Sequence, residues 1–510
     1  MNKKHLIRST GTIGIATAIS RVLGFIRDIV IADLFGTGLA AQAFFVAFRI
    51  PNSLRDIVGE GAMNSAIVPV LTEYKTKGEE QEFLRVSRIL FNISFAALTI
   101  LTIAGIIFSP LIIRLIAPGF VREPSIMDLT IYLNRIMFPY LILIGLTAYT
   151  MGVLNTVKHF ASPAFGPCLL NVALIIAALW LCPRLGVMGL VVGVMVGGVL
   201  QLLLNIITMY GKGLTLSLKE GFRHSAVKKI GLLMIPRAFG SAIYQVNIFV
   251  DTMAASLAWI VGAGGVAALY YANRLIQFPL AIFGLALAQA ALPKLSQEFS
   301  MNDIPRMKDT LSFSLRTTFL VMIPASVGLA LLGMPIVRLL FQRGQFDAYS
   351  TYITQNALFF YSFGLFAYSG VKLLVTCFYS MHDTVTPVKT AFAAVIINIV
   401  LIFLLMWPLK LGGIALATSI SATFNFVALY IILRKKLGPL HTRDLIDSFV
   451  RIFLSSLAMG AVLKILSSNL KGIEGLLSAI AAGVVTFIAA AYIFKVREME
   501  RAFAWVLRKR

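Results

Sequence analysis

Four arginines, Arg21, Arg27, Arg49 and Arg55, stand with Asp28, Asp56 and Glu60 in a stretch that is otherwise strongly apolar and helical in pattern, interrupted at Gly36 and Gly38. A charge at mid-bilayer costs ~2.5–3.5 kcal/mol per residue, so four arginines facing lipid would cost on the order of 10–14 kcal/mol. They must face acidic partners, a water-filled cavity or an anionic ligand. Arg49, Ser53, Asp56 and Glu60 follow one another at spacings of four, three and four, one stripe of a helix, while Arg55 points toward a second wall. Pro51 removes a backbone hydrogen bond and crowds the carbonyl of Ala47, so a kink is expected there. The basic groups outnumber the acidic ones, whereas a purely structural network should balance its charge.

Further along, Arg237, Arg274 and Lys372 lie in apolar segments and extend the set into a cationic cavity. Such a cavity suits phosphate, which a guanidinium can hold bidentately. Asp251 is the lone carboxylate of its apolar segment and reads as a cation ligand or proton carrier. Asn398 and Thr418 supply neutral oxygens that suit a monovalent cation. Catalysis has little support: the five histidines fall at ends or turns, and no HExxH, GxSxG or Walker sequence occurs. No cofactor is expected, and with no nucleotide-binding loop the work must come from an ion gradient or the membrane potential. Sodium ions and protons are the candidate coupling ions.

The elements that position these residues are read from composition. With 510 residues, 58% hydrophobic and 13% charged, the chain is an all-α polytopic membrane protein. Apolar runs able to cross ~30 Å of hydrocarbon recur about fourteen times. They lie near 9–34, 39–72, 86–110, 128–153, 162–182, 187–210, 227–258, 264–293, 312–337, 350–379, 387–408, 412–433, 447–468 and 474–495. The net charge of +23 sits mostly at the termini and in the even-numbered turns. That placement is a topology signal with both termini cytoplasmic, and it excludes a nucleic-acid footprint. The first apolar run follows a basic start like that of a signal peptide, but no cleavage site breaks it before Arg21, so it reads as an uncleaved span. Cys168, Cys182 and Cys377 are scattered and imply neither disulfide nor metal cluster.

The sequence also repeats itself. ISRVLG at 19–24 matches IPRAFG at 235–240, AFFVAFRI at 43–50 matches ALYYANRL at 268–275, and 169–190 matches 396–416, with offsets of 216 to 227. Spans 1–6 and 7–12 are therefore two copies of one six-helix unit, entering the membrane in the same sense as parallel repeats. This divides the chain into a first lobe at 1–215, a second at 225–436, two added helices at 445–497 and a basic cytoplasmic tail at 498–510. The repeat sets Arg21 opposite Arg237 and Arg49 opposite Arg274, at a shared depth.

At SRVLGFIRD (20–28), FFVAFRIPNSLR (44–55), EGA (60–62), YYANRLIQFP (270–279) and FYSMHDTVTPVKT (378–390), the chain resembles the MurJ/MviN family of lipid II flippases, of the MOP exporter superfamily. The resemblance runs end to end. It implies a V-shaped pair of six-helix lobes in the bacterial inner membrane. It further implies a central cationic cavity for the pyrophosphate and sugars of lipid II, and a groove beside the last two helices for the polyprenyl tail. Membrane lipids and other cell-wall synthesis proteins are the remaining candidate partners. Family-critical arginines fall on Arg21, Arg27, Arg55 and Arg274, a cavity lysine on Lys372, and motif positions on Ser20 and Glu60. A sodium site of some members maps to Asp251, Asn398, the Ile414 carbonyl and Thr418, with Ile402 where a second carboxylate would stand. Gln42, Asp56 and Asn273 also depart from the family pattern. The implied activity is alternating-access flipping of lipid II for cell-wall synthesis. A polysaccharide-lipid or drug exporter of the same superfamily is the alternative, and a membrane glycosyltransferase is disfavoured because every odd-numbered turn is short.

Overall fold

The computed structural model describes residues 3–55, 63–467 and 472–500, with the side chains of 3–10, 64–65 and 236–239 outside the description. Each apolar run of the sequence is largely helical over its described residues. In chain order the helices are α1 (Lys3–Phe35), α2 (Leu39–Leu54), α3 (Asn64–Thr76), α4 (Glu80–Ile116), α5 (Pro124–Met137), α6 (Tyr140–Thr156) and α7 (Ala161–Trp180). There follow α8 (Cys182–Leu185), α9 (Met188–Gly211), α10 (Ser225–Ser256), α11 (Ala258–Val261), α12 (Gly265–Pro279) and α13 (Leu285–Ser300). The last are α14 (Ile304–Phe341), α15 (Ala348–Ser362), α16 (Leu365–Ser380), α17 (Val385–Leu409), α18 (Leu411–Leu437), α19 (Thr442–Ser467) and α20 (Gly472–Ile493).

Among the described residues, ten helices are long and apolar enough to cross a membrane, or eleven when the bent pair α15 and α16 counts as one span. The count of fourteen is therefore not reached on length and composition. The three runs that fall outside are α1, the α2–α3 run and α10. In α1 the apolar sequence is interrupted by Arg21, Arg27 and Asp28, and parts of the other two runs lie outside the described residues.

The internal repeat is visible in the backbone. Left-handed residues fall at Gly36, Gly78, Lys158, Gly186 and Gly213 in the first copy, and at Gly262, Asn302, His382, Lys410 and Gly438 in the second. Each pair is separated by 224 to 226 residues. A left-handed turn is cheap only for glycine and tolerable for asparagine. Its retention at Lys158, His382 and Lys410 shows that the helix-to-helix geometry, and not the residue, dictates the conformation.

Contacts divide the chain into two compact units. One comprises residues 1–257 with 343–345, the other 258–342 with 346–510. In the first, α1 packs on α7, α7 on α9, and α2 on α5. The α7–α9 seam is close because Gly197 carries no Cβ: one placed there would lie 2.9 Å from the Leu170 Cα. In the second unit α17 packs on α18, α14 on α19, and α19 on α20.

Helix α10, which the repeat assigns to the second copy, is grouped by its contacts with the first unit. Lys229 pairs with Glu73 at 2.6 Å, and His224, whose Nδ1 caps the helix, has its Nε2 2.9 Å from Glu82. At the other end the Gly119 amide donates to the Ser256 hydroxyl at 3.0 Å. A Cβ on Gly119 would fall 1.8 Å from the Ser256 carbonyl oxygen, so only glycine fits this junction.

The turn from α16 to α17 is held by Asp383, which accepts from the amides of Val385 and Thr386 at 3.1 and 3.0 Å and pairs with Lys436. Burial alone would raise its carboxyl, but the hydrogen bonds from Lys436 and Thr386 prevail and bring it down to about 2. A carboxyl lowered on folding stabilises the fold above its ordinary value, and that contribution is lost as pH falls toward 2. Asp383→Asn should accordingly lower thermal stability at pH 7 yet leave it unchanged near pH 2, as unfolding scans of the two proteins across that range would show.

Candidate functional site

The first arginine of the set to be fixed is Arg27, on α1. Its Nε and Nη2 donate to the same Asp28 oxygen at 3.0 and 2.7 Å, and Nη1 donates to Asn171 Oδ1 at 3.0 Å. Both charged residues are buried. Asn171, on α7, turns its amide nitrogen back to α1, donating to the Ser20 carbonyl at 2.9 Å and lying 3.4 Å from the Ser20 hydroxyl. Ser20, Arg27 and Asp28 are thus joined through one asparagine from a neighbouring helix. Arg21, by contrast, is exposed. Two arginines of one motif, six residues apart, therefore differ in kind: one is neutralised within the fold, the other presents its charge at the surface.

On α2 the stripe behaves partly as read. Ser53 is buried, and Arg49 is half-buried and donates to the Thr252 hydroxyl on α10, the residue after Asp251. Arg55 is half-buried at the end of the helix. Asp56 and Glu60 lie outside the described residues. The expected break at Pro51 takes a specific form. Helix α2 runs through Pro51 to Leu54, and the next helix begins at Asn64. The Ala47 carbonyl, deprived of its partner by the proline, accepts instead from Asn134 Nδ2 at 3.0 Å, and Asn134 Oδ1 in turn accepts from Ser109 at 2.5 Å. Gln42 is also buried on α2.

In the second unit Arg274 is half-buried on α12, one residue after Asn273, whose side chain accepts from Gln277 at 2.6 Å. Lys372 exposes its side chain on α16 and makes no ion pair among the described residues. Arg237 belongs to α10, but its side chain is not described.

The oxygens read as a cation site divide between the units. Asp251 is half-buried in the first, while Asn398, Ile414 and Thr418 are in the second. There the Thr418 hydroxyl donates to the Ile414 carbonyl at 3.1 Å, a bond within one turn of α18. Asn398 is fully buried, and Ile402 is 1% exposed. Among the described residues no three His, Cys, Asp or Glu side chains cluster as a metal centre. Neutral oxygens of this type fit a hard monovalent cation better than a transition metal.

With this geometry in view, the comparisons with known proteins are specific. The sequence matches the family described as "Lipid II flippase MurJ" over residues 31–484. The chain belongs to the lipid II flippase MurJ family. A "Probable lipid II flippase MurJ" of Haemophilus influenzae is 36% identical over 464 residues, covering 87% of this chain and 89% of that protein. A "Lipid II flippase MurJ" of Burkholderia cenocepacia is 34% identical over 438 residues, covering 85% and 84%. Among solved structures, a lipid II flippase MurJ in an inward closed conformation superposes with a TM-score of 0.81 at 28% identity, over 94% of this chain and 98% of that one. A MATE-family multidrug transporter of the MOP superfamily gives 0.71 at 14% identity, over 84% and 99%. The MATE likeness is one of fold; the MurJ likeness extends to sequence.

Within the MurJ fold the residues that hold the arginines are, apart from Asp28, not themselves charged. Asn171, Asn134, Ser109 and Thr252 were not singled out in the sequence. A polar amide in an otherwise apolar 20-residue run is the one signal that could have drawn attention to Asn171. Its replacement is informative because it serves two partners. Asn171→Ala should destabilise the purified protein by about 1–3 kcal/mol, the range for leaving a buried hydrogen-bonding group unsatisfied. Asn171→Asp, which keeps the acceptor for Arg27 and loses the donor to Ser20, should recover part of that loss in a thermal-unfolding comparison.

Proposed function

We propose that this chain flips lipid II from the cytoplasmic to the outer leaflet of the bacterial inner membrane. The observation that carries this reading is the set of basic side chains held at apolar helices, with Arg21 and Lys372 exposed and Arg55 and Arg274 half-buried. An exposed guanidinium in a membrane helix is stable only where water or an anion meets it. Pyrophosphate answers that requirement, and the named substrate of the relatives carries one.

The mechanism follows from the different states of the arginines. Arg21 is available to an incoming anion as the protein stands. Arg27 is engaged by Asp28 and Asn171, so it contributes its remaining field and holds α1 in place, and direct contact with substrate would require Asn171 to yield. Arg55 and Arg274, half-buried on two further helices, are the other guanidiniums assigned to the anion on this reading. In alternating access the headgroup is drawn in from the cytoplasmic side while the polyprenyl tail stays in lipid beside α19 and α20, and closure behind it opens release to the outside. Both termini are cytoplasmic on this reading. The drug-exporter alternative draws on the shared fold alone and leaves the arginine set without a task.

Arg21→Ala, Arg55→Ala and Arg274→Ala should each abolish flipping, measured as growth of a flippase-depleted strain and as lipid II exposure at the outer leaflet, at near-normal membrane levels of protein. Lysine at the same positions should rescue only partly, because it lacks the planar fork. Normal growth of all three alanine variants would overturn the anion-binding role.

Coupling is assigned to a sodium ion or proton at Asp251, with oxygens of Asn398, Ile414 and Thr418. A carboxylate in a membrane helix needs such compensation. Asp251→Asn keeps the shape and removes the charge, so it should slow transport and abolish any sodium dependence while lipid II still binds. Equal rates for both proteins, with and without sodium, would make Asp251 a packing residue.

A further inference from the structure

A cavity of about 480 Å³ opens in the second unit between α13, α14, the start of α19 and the segment after α20. It is separate from the arginine set above, and the resemblance to transporters does not account for it. At its wall is Arg316, 8% exposed. Its Nε alone is engaged, 3.3 Å from Glu498 Oε1 and 3.4 Å from the Ser312 carbonyl. The two terminal nitrogens have no hydrogen-bond partner among the described residues. Ser312, a turn earlier, also lines the cavity; it is 3% exposed and its hydroxyl has no partner among the described residues. The fork of Arg316 and the neighbouring Ser312 therefore border the same space.

The Glu498 carboxylate that meets Nε has its other oxygen fixed by the Ser448 hydroxyl at 3.0 Å. The fork of Arg316 is left at the cavity wall, and Lys294, whose ammonium lies 4.0 Å from Glu298, also lines it. The acidic residues of the lining are already answered, Asp309 by His441 at 3.0 Å and Asp444 by Arg497 at 3.1 Å.

We infer that this cavity is a phosphate-binding site, and that its occupant is the phosphate of a phospholipid headgroup. Charge-assisted bonds from a planar guanidinium, supported by a hydroxyl and an ammonium, match phosphate oxygens. The depth selects the lipid. Helix α14 has 38 residues, ~57 Å at 1.5 Å per residue against ~30 Å of hydrocarbon, so its first turns stand outside the hydrocarbon and Arg316 comes at the headgroup layer. The turn before α14 is one that the charge distribution assigns to the cytoplasmic side.

Native mass spectrometry of the full-length detergent-purified protein tests this, with phosphatidylglycerol as probe and diacylglycerol as the phosphate-free control. The wild type should retain phosphatidylglycerol selectively. Ser312→Ala should weaken retention, and the charge-balanced double variant Arg316→Gln with Glu498→Gln should weaken it about tenfold, the loss of a charged hydrogen bond. Added inorganic phosphate separates the sources: failure to displace the lipid supports a headgroup site, and displacement at millimolar concentration overturns the lipid assignment in favour of a soluble phosphate. Equal retention by the wild type and both variants overturns the site altogether.

Discussion

A charge in hydrocarbon has to be met by an opposite charge, by water or by a ligand, and the chain answers this demand differently at each arginine. Arg27 is met by Asp28 and Asn171 within the fold. Arg49 is given to a hydroxyl on α10. Arg21 is left exposed. The distinction matters because a buried pair is weak evidence for stability but costly to break, by roughly 3–5 kcal/mol when one partner is removed. Arg27 and Asp28 therefore behave as a fixed part of α1, six residues along the helix from the exposed Arg21.

The same demand applies to the backbone. An unsatisfied carbonyl in lipid costs several kcal/mol, so a proline in a membrane helix is tolerated only where a neighbour replaces the missing donor. At Pro51 that neighbour is Asn134, itself held by Ser109, and both are fully buried. The helix carrying Arg49 and Arg55 is thereby bonded to α5 at its weakest turn. A proline placed among charges can loosen a helix for motion; here the loosened point is tied to the scaffold, which fixes the bearing of the arginines on either side of it.

Much of this was legible in the sequence, and what was not has a common physical cause. Hydrophobic runs located the ten or eleven helices long and apolar enough to cross a membrane, because their length and composition are set by the bilayer and not by tertiary detail. The repeat predicted five pairs of left-handed turns without naming them, since equivalent helix junctions impose equivalent backbone angles even where glycine has become Lys410 or Asn302. The arginines were legible because they violate the apolar pattern. Their partners were not, because Asn171, Asn134, Ser109 and Thr252 are neutral, individually unremarkable in a membrane helix, and distant in sequence from the groups they serve. Asp56 and Glu60 lie outside the described residues, so the structure neither adds to nor subtracts from their reading.

The division of the chain illustrates the difference between ancestry and mechanics. By sequence the second copy begins with α10, after the linker at 212–224. By bonding it does not: Asn92 donates to the Glu220 carbonyl, Arg88 holds Glu220 and Thr215, Glu73 holds Lys229, and Gly119 grips Ser256. The linker and the helix after it are tied to α3, α4 and the turn at Pro118–Arg122 at both ends, while Arg49 secures the helix near Thr252. The contact boundary accordingly falls at Leu257, after α10 rather than before it. Asp251 thus belongs by contact to the unit that carries Arg21 and Arg27, although by repeat it falls in the second copy.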